Sequence, residues 1–210
     1  MIAHSTDDAA SERLMHRAIT FSDAVFAVAL TLLVLELRPP PLDVELIDGL
    51  LALLPHLAAF VGSFALVAIF WAAHMALTRR LVVFDWPTVW VNLLFMFVIV
   101  LMPFASALLG GHGVTPLVWR IYCAVLIAAS LAQTALWLVA SRSGGRLLAG
   151  GVTWRERGFR TLRALSPAIA FSAGFWAVGT SFAQWSVWCW VLILPVALLA
   201  RLVFGAKHAG

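Results

Sequence analysis

Charge is scarce in this sequence. Only 11% of its 210 residues are Asp, Glu, Lys or Arg, against about 25% in soluble domains, too few to cover a globular surface with water-binding groups. Lysine is represented by Lys207 and tyrosine by Tyr122, so arginine supplies nearly all the positive charge. The pI near 10.0 does not point to nucleic acid, because the arginines lie in gaps between apolar runs, where they suit lipid headgroups. Cys123 and Cys189 are too few for a disulfide framework or a thiolate metal site. Neither H-E-x-x-H nor G-x-S-x-G occurs, and no nucleophile-and-base set comes with an oxyanion donor, so the chain does not read as an enzyme. Residues 1–12 (MIAHSTDDAASE) are polar and acidic, lack the apolar region of a signal peptide, and read as a disordered cytoplasmic tail.

What is present is apolar. The hydrophobic share is 63% and the mean hydropathy +0.98, which marks a multi-pass, all-α membrane protein. Residues 13–206 divide into six spans of roughly 20 residues, the length that crosses about 30 Å of hydrocarbon. They fall at about 17–37, 55–77, 86–109, 116–140, 162–182 and 184–204. Pro39, Pro40 and Pro41 stop the first, Arg79 and Arg80 end the second, and Asp85-Trp86-Pro87 starts the third. Of the 14 basic residues, all but Arg38 and Arg120 lie before the first span, after the second, between the fourth and fifth, or at the end of the sixth. The positive-inside rule therefore places both termini in the cytoplasm, in a cell membrane. Trp119, Trp185 and Trp188 then fall near the outer boundary, and Trp71, Trp86 and Trp137 near the inner one. Cys123 and Cys189 fall near the outer third of their spans; a disulfide is geometrically conceivable, and two ordinary buried thiols are the simpler reading.

With that topology, depth follows from the helical rise. Asp23 lies about 9 Å above Arg17, His74 and Trp71 about 8 and 12 Å above Arg79, and Asn92 about 11 Å above Asp85. Ser22, Asp23, His74 and Asn92 thus share one layer in the inner third of the membrane, where polar groups pair or line water. Each has an ordinary reading: a packing histidine, an asparagine gluing helices, a serine bonded back to its own helix. An unpaired carboxylate is the costly member, and a buried anchor suits Asp23 better than an ion ligand. At about 100° per residue, Val28, Leu32 and Leu35 form a stripe on the face nearly opposite Asp23, with Phe21 and Val25 close to it and Arg17 at its cytoplasmic end. By periodicity alone this stripe packs on another helix or on lipid.

The run Arg17-x-x-x-Phe21-Ser22-Asp23, continuing as AVFAVALTLLVLEL, resembles the first-helix signature of the endolysosomal-type potassium channels, in their prokaryotic six-helix branch. Phe70-Trp71-x-x-His74, Asn92-Leu93-Leu94-Phe95 and Leu101-Met102-Pro103-Phe104 extend the likeness, which residues 17–109 carry almost entirely. The resemblance implies a homotetramer whose four first helices line a central pore for potassium ions, with no cofactor. It implies that Val28, Leu32 and Leu35 form the constriction, with Thr31 beside them. It also implies that Arg17, Phe21, Ser22 and Asp23 are braced by Trp71, His74 and Asn92. Val28 stands where a larger isoleucine is usual, one methylene less in each of four subunits. No T-V-G-Y-G segment offers carbonyls to replace a hydration shell, so such a constriction acts through pore size and dewetting. Glu36 either concentrates cations at the outer mouth or pairs with Arg38. The rival class is a secondary transporter, proton-coupled or cation-driven, built on the Asp23/His74 layer. The off-centre layer and the unmatched positions of Pro103, Pro167 and Pro195 speak against it.

Overall fold

A computed structural model of the chain describes residues 2–142, 144–181 and 183–204. Helix α1 covers Ile2–Val34, α2 Leu46–Ala52, α3 Leu54–Thr78, α4 Trp86–Val100, α5 Met102–His112, α6 Pro116–Ala140 and α7 Trp154–Ala177. A 3₁₀ segment, Ala183–Leu192, leads into α8, Ile193–Phe204. Five stretches are long and apolar enough to cross a membrane: Arg13–Val34, Leu54–Thr78, Trp86–His112, Pro116–Ala140 and Ser186–Phe204. The backbone of residues 2–12, expected as a disordered tail, continues α1; Ala9, Ala10 and Arg13 are strong helix formers.

Local chemistry explains the boundaries. Asp85 caps α4 by accepting from Thr88 N–H at 3.2 Å and from the Thr88 hydroxyl at 2.6 Å. Thr115 caps α6 through Val118 N–H, with Pro116 in the first turn, and Thr153 caps α7 through Glu156 N–H. The break between α4 and α5 at Leu101 follows from Pro103, which lacks an N–H and crowds the carbonyl four residues earlier. In α7, Pro167 sits inside the helix, and its missing donor is replaced by the Ser166 hydroxyl, which bonds Arg163 O at 2.8 Å. Ser130 of α6 inserts into the loosened turn. Its hydroxyl donates to Ala164 O at 2.6 Å and accepts from Ala168 N–H at 3.0 Å, taking the place of one rung of the ladder. Ser130→Ala should therefore cost about 1–3 kcal/mol, the scale for leaving buried donors and acceptors unpaired. Thermal unfolding in detergent checks this; an unchanged midpoint would mean that α7 closes its own rung.

Helix α1 packs on α3, α4 and α5; α6 packs on the far side of α4 and α5 and carries α7, which carries α8. The core runs through the middle of these layers, with Phe26, Leu33, Phe95, Ile99, Met102, Leu126, Leu136 and Phe171 all fully buried. Trp119 and Trp137, read as interfacial from their positions, are buried as well, and Trp137 Nε1–H bonds Arg157 O. Cys123 and Cys189 are free, buried thiols.

Two loops at the arginine-rich end are clasped together. Leu81 bridges Leu148, Val82 N–H bonds Leu147 O at 2.9 Å, and Ala149 N–H bonds Arg80 O at 2.8 Å. Arg80 and Arg160 both pair with Glu156, and Arg142 pairs with Asp85. Partial burial pushes the Glu156 carboxyl up, but hydrogen bonds and charge from Arg80 and Arg160 outweigh it and hold the group below its ordinary value. A carboxylate depressed in this way adds stability above its unfolded pKa of about 4.3, and that stability is lost as pH falls through the folded value. Acid titration should show a loss of thermal stability below about pH 4.3 that is smaller in Glu156→Gln; equal losses would make the clasp energetically silent.

Candidate functional site

The inner face of α1 repeats at spacings of four, three and four: Ser22, Phe26, Ala29 and Leu33 are all buried against the chain's own helices. Ser22 is the polar member of that face, and it anchors a hydrogen-bonded chain across three helices. The Ser22 hydroxyl donates to Ala18 O of its own helix at 2.9 Å. With its proton spent there, it accepts from Asn92 Nδ2 of α4 at 2.9 Å. That fixes the Asn92 amide, whose Oδ1 faces His74 Nε2 of α3 at 2.8 Å. An amide oxygen only accepts, so His74 carries its proton on Nε2. The remaining nitrogen, His74 Nδ1, is buried and has no hydrogen-bond partner among the described residues.

Aromatic rings close the layer. The His74 ring stacks on Phe95 with centroids 5.7 Å apart and meets Phe26 at 5.7 Å. Phe95 in turn packs edge-on against Phe26 and Phe70. The rings thus enclose the His74 end of a polar line that already satisfies itself, apart from one ring nitrogen.

Asp23 takes a different position from the expected one. It is not part of the Ser22–Asn92–His74 line; it is exposed in the chain and accepts from Trp71 Nε1–H of α3 at 3.0 Å. Helical phase accounts for this, since adjacent residues point about 100° apart and Ser22 already occupies the inward direction. The bracket holding α1 therefore has two parts, a buried line through Ser22 and an outer indole–carboxylate contact through Asp23. Trp71 is one of the braces that the family resemblance implies for the first helix, and it is the one that meets Asp23. Phe26 was not among the expected site residues, though its spacing of four from Ser22 marks the same face.

Arg17 and Phe21 are exposed and border an open groove of about 610 Å³ between α1 and α4, with Leu14, His16, Val89 and Leu93 on its walls and Asn92 reached from it. Val28, Leu32 and Leu35 are 56%, 38% and 66% exposed, so no other part of the described chain covers the stripe. Thr31 lies exposed beside them, its hydroxyl bonded back to Val28 O at 2.9 Å. Glu36 is half-buried and Arg38 exposed. Among the described residues the ion pairs all lie in the arginine clasp, and Glu36–Arg38 is not one of them. Nor do the described residues bring three His, Cys, Asp or Glu side chains together as a metal site would need.

A family model described as endosomal/lysosomal potassium channel TMEM175 matches residues 17–103. A potassium channel of Chamaesiphon minutus is 30% identical over 194 residues, covering 87% of this chain and 93% of that one. The chain belongs to the TMEM175 family. The crystal structure of a lysosomal potassium-selective channel TMEM175 homolog from Chamaesiphon minutus matches this fold with a TM-score of 0.75 at 26% identity, covering 90% of this chain and 99% of that chain. The bovine endosomal/lysosomal proton channel TMEM175 is 31% identical over 213 residues, which cover 92% of this chain but only 44% of that longer protein. The stretch matched by the TMEM175 model contains the stripe, the buried line and the Asp23–Trp71 contact, while α6, α7 and α8 lie beyond it.

Proposed function

We propose that the chain is one subunit of a potassium-permeable cation channel, a homotetramer in which four copies of α1 surround the ion path. One observation carries the reading: α1 uses a single face within its own chain and leaves Val28, Leu32 and Leu35 uncovered. Its relatives named as potassium channels supply the ion. Four such stripes facing one another make an apolar constriction that offers no ligands, so discrimination comes from pore size and from the cost of shedding water. Potassium is dehydrated at lower cost than sodium and passes more readily. Thr31 adds one hydroxyl per subunit beside the ring, and Glu36 draws cations to the outer mouth.

The membrane arrangement follows the charges. The positive-inside rule assigns the arginine-rich end, and both termini with it, to the cytoplasmic side of a prokaryotic cell membrane. Helix α7 supplies the fifth span in chain order and brings the total to six. Arg155, Arg157, Arg160 and Arg163 lower the hydropathy of its first half, and such long side chains reach the interface from helix ends.

The deciding experiment is potassium against sodium flux in liposomes holding the purified protein, with light scattering to count subunits. Passive, potassium-favouring flux from a four-chain particle is expected. Saturable exchange, or flux from a single chain, would overturn the assignment, because one chain presents only one stripe.

A further inference from the structure

We infer that the groove between α6 and α7 holds one acyl chain of an anionic phospholipid, with the phosphate on Arg120. The groove has a volume of about 310 Å³ and is walled by Ala124, Ile127, Ala128 and Leu131 of α6 and by Phe175 and Trp176 of α7. Arg120 stands on the same face of α6 as those four residues, since spacings of four, seven, eight and eleven return to one side of a helix. It marks the end of the groove farthest from the arginine clasp.

Its guanidinium is held in place. The carbon at its centre lies 5.8 Å above the Phe175 ring, and a Cβ at Gly179 would come within 2.5 Å of one terminal nitrogen, so the group rests against the backbone of the turn that follows α7. Yet Arg120 is exposed and, among the described residues, forms no ion pair. A cation stacked at a groove mouth without a counter-charge suits a phosphate, which a guanidinium grips with two parallel hydrogen bonds.

Length selects the other half of the ligand. From Arg120 to Leu131 the helix rises about 16 Å, close to half of a hydrocarbon layer about 30 Å thick. An apolar trough whose α6 wall runs from Ala124 to Leu131, with a positive group one helical turn beyond it, fits a headgroup and a single chain. Trp176, 71% exposed at the side of the trough, adds the aromatic face that favours this boundary.

The inference needs the chain to lie in a bilayer, but not the pore assignment. Its test uses the purified, detergent-solubilised protein with phosphatidylglycerol and phosphatidylcholine as probes, and native mass spectrometry to count bound lipid. Wild type should bind one phosphatidylglycerol per chain in preference to phosphatidylcholine. Arg120→Gln and Ala128→Phe should each weaken that binding about tenfold, the scale of one lost charge-assisted contact. Unaltered phosphatidylglycerol binding by Arg120→Gln would overturn the proposal, and so would equal binding of both lipids by wild type. If inorganic phosphate alone competed fully for the site, the chain-binding half would fall. A lower subunit count for Ala128→Phe would mean instead that a second copy fills the groove. Arg120 is exposed, so its substitution reads binding even where Ala128→Phe fails to fold. Potassium flux measured in parallel separates a failure here from a failure of the channel reading.

Discussion

Shortening Leu32 to alanine is expected to raise cation flux about tenfold, equivalent to lowering the barrier by about 1.4 kcal/mol, and to reduce the preference for potassium over sodium. Each substitution removes three carbon atoms from a side chain that no other part of the described chain covers, and a tetramer removes them four times at one level. A wider, less apolar ring holds water more readily, so the dewetting barrier falls for both ions. Sodium gains more, because shedding its water had cost it more. Val28→Ala should act in the same direction with a smaller effect, since fewer atoms are lost. Stability should change little in either variant, because neither side chain belongs to the buried core. Liposome flux with each cation, beside a thermal unfolding midpoint, reads both quantities. Wild-type flux and selectivity in Leu32→Ala would remove the stripe from the ion path.

Asn92→Ala is expected to do the opposite, lowering stability by about 2 kcal/mol while leaving selectivity in the surviving protein near wild type. The substitution removes the acceptor of His74 Nε2–H and the donor to Ser22 at once. Polar contacts between membrane helices are often worth only about 0.6 kcal/mol, because the separated helices find other partners. The higher figure applies here because His74 is enclosed by Phe26 and Phe95, whose rings offer no carbonyl or hydroxyl in exchange. Asp23→Ala loses one exposed contact to Trp71 and should cost less than Asn92→Ala. Denaturation of the two variants side by side checks the order, and a larger loss for Asp23→Ala would shift the main anchor to the indole–carboxylate contact.

Much of this architecture is legible in the chain itself. The Asp85-Trp86-Pro87 and Thr115-Pro116 pairs announce helix starts, and the helical rise alone brings Ser22, Asp23, His74 and Asn92 to one depth. What depth does not supply is azimuth. Ser22 and Asp23 are neighbours at one level, yet one turns into the bundle and the other toward its rim, and only packing decides which. The start of α7 was also within reach: Thr153-Trp154-Arg155-Glu156 has the Ser/Thr-x-x-Glu spacing of a capped helix. The arginines behind it argued for a loop instead, because the carboxylate that neutralises Arg80 and Arg160 lies within the same run. The pairing of Arg142 with Asp85 joins residues far apart in the chain, and no local pattern signals it.

The direction of the hydrogen bonds through Ser22 has a consequence for protons. Donation runs one way only, from His74 to Asn92 to Ser22 to the Ala18 carbonyl. A Grotthuss relay needs members that can each take a proton on one side and release it on the other, with an open end at both terminals. This line begins at a ring whose free nitrogen meets no donor and ends on a backbone oxygen, and its middle member is an amide that does not exchange roles without turning over. It is wired as a latch and insulated as a conductor, so a proton crossing this protein would not pass along it.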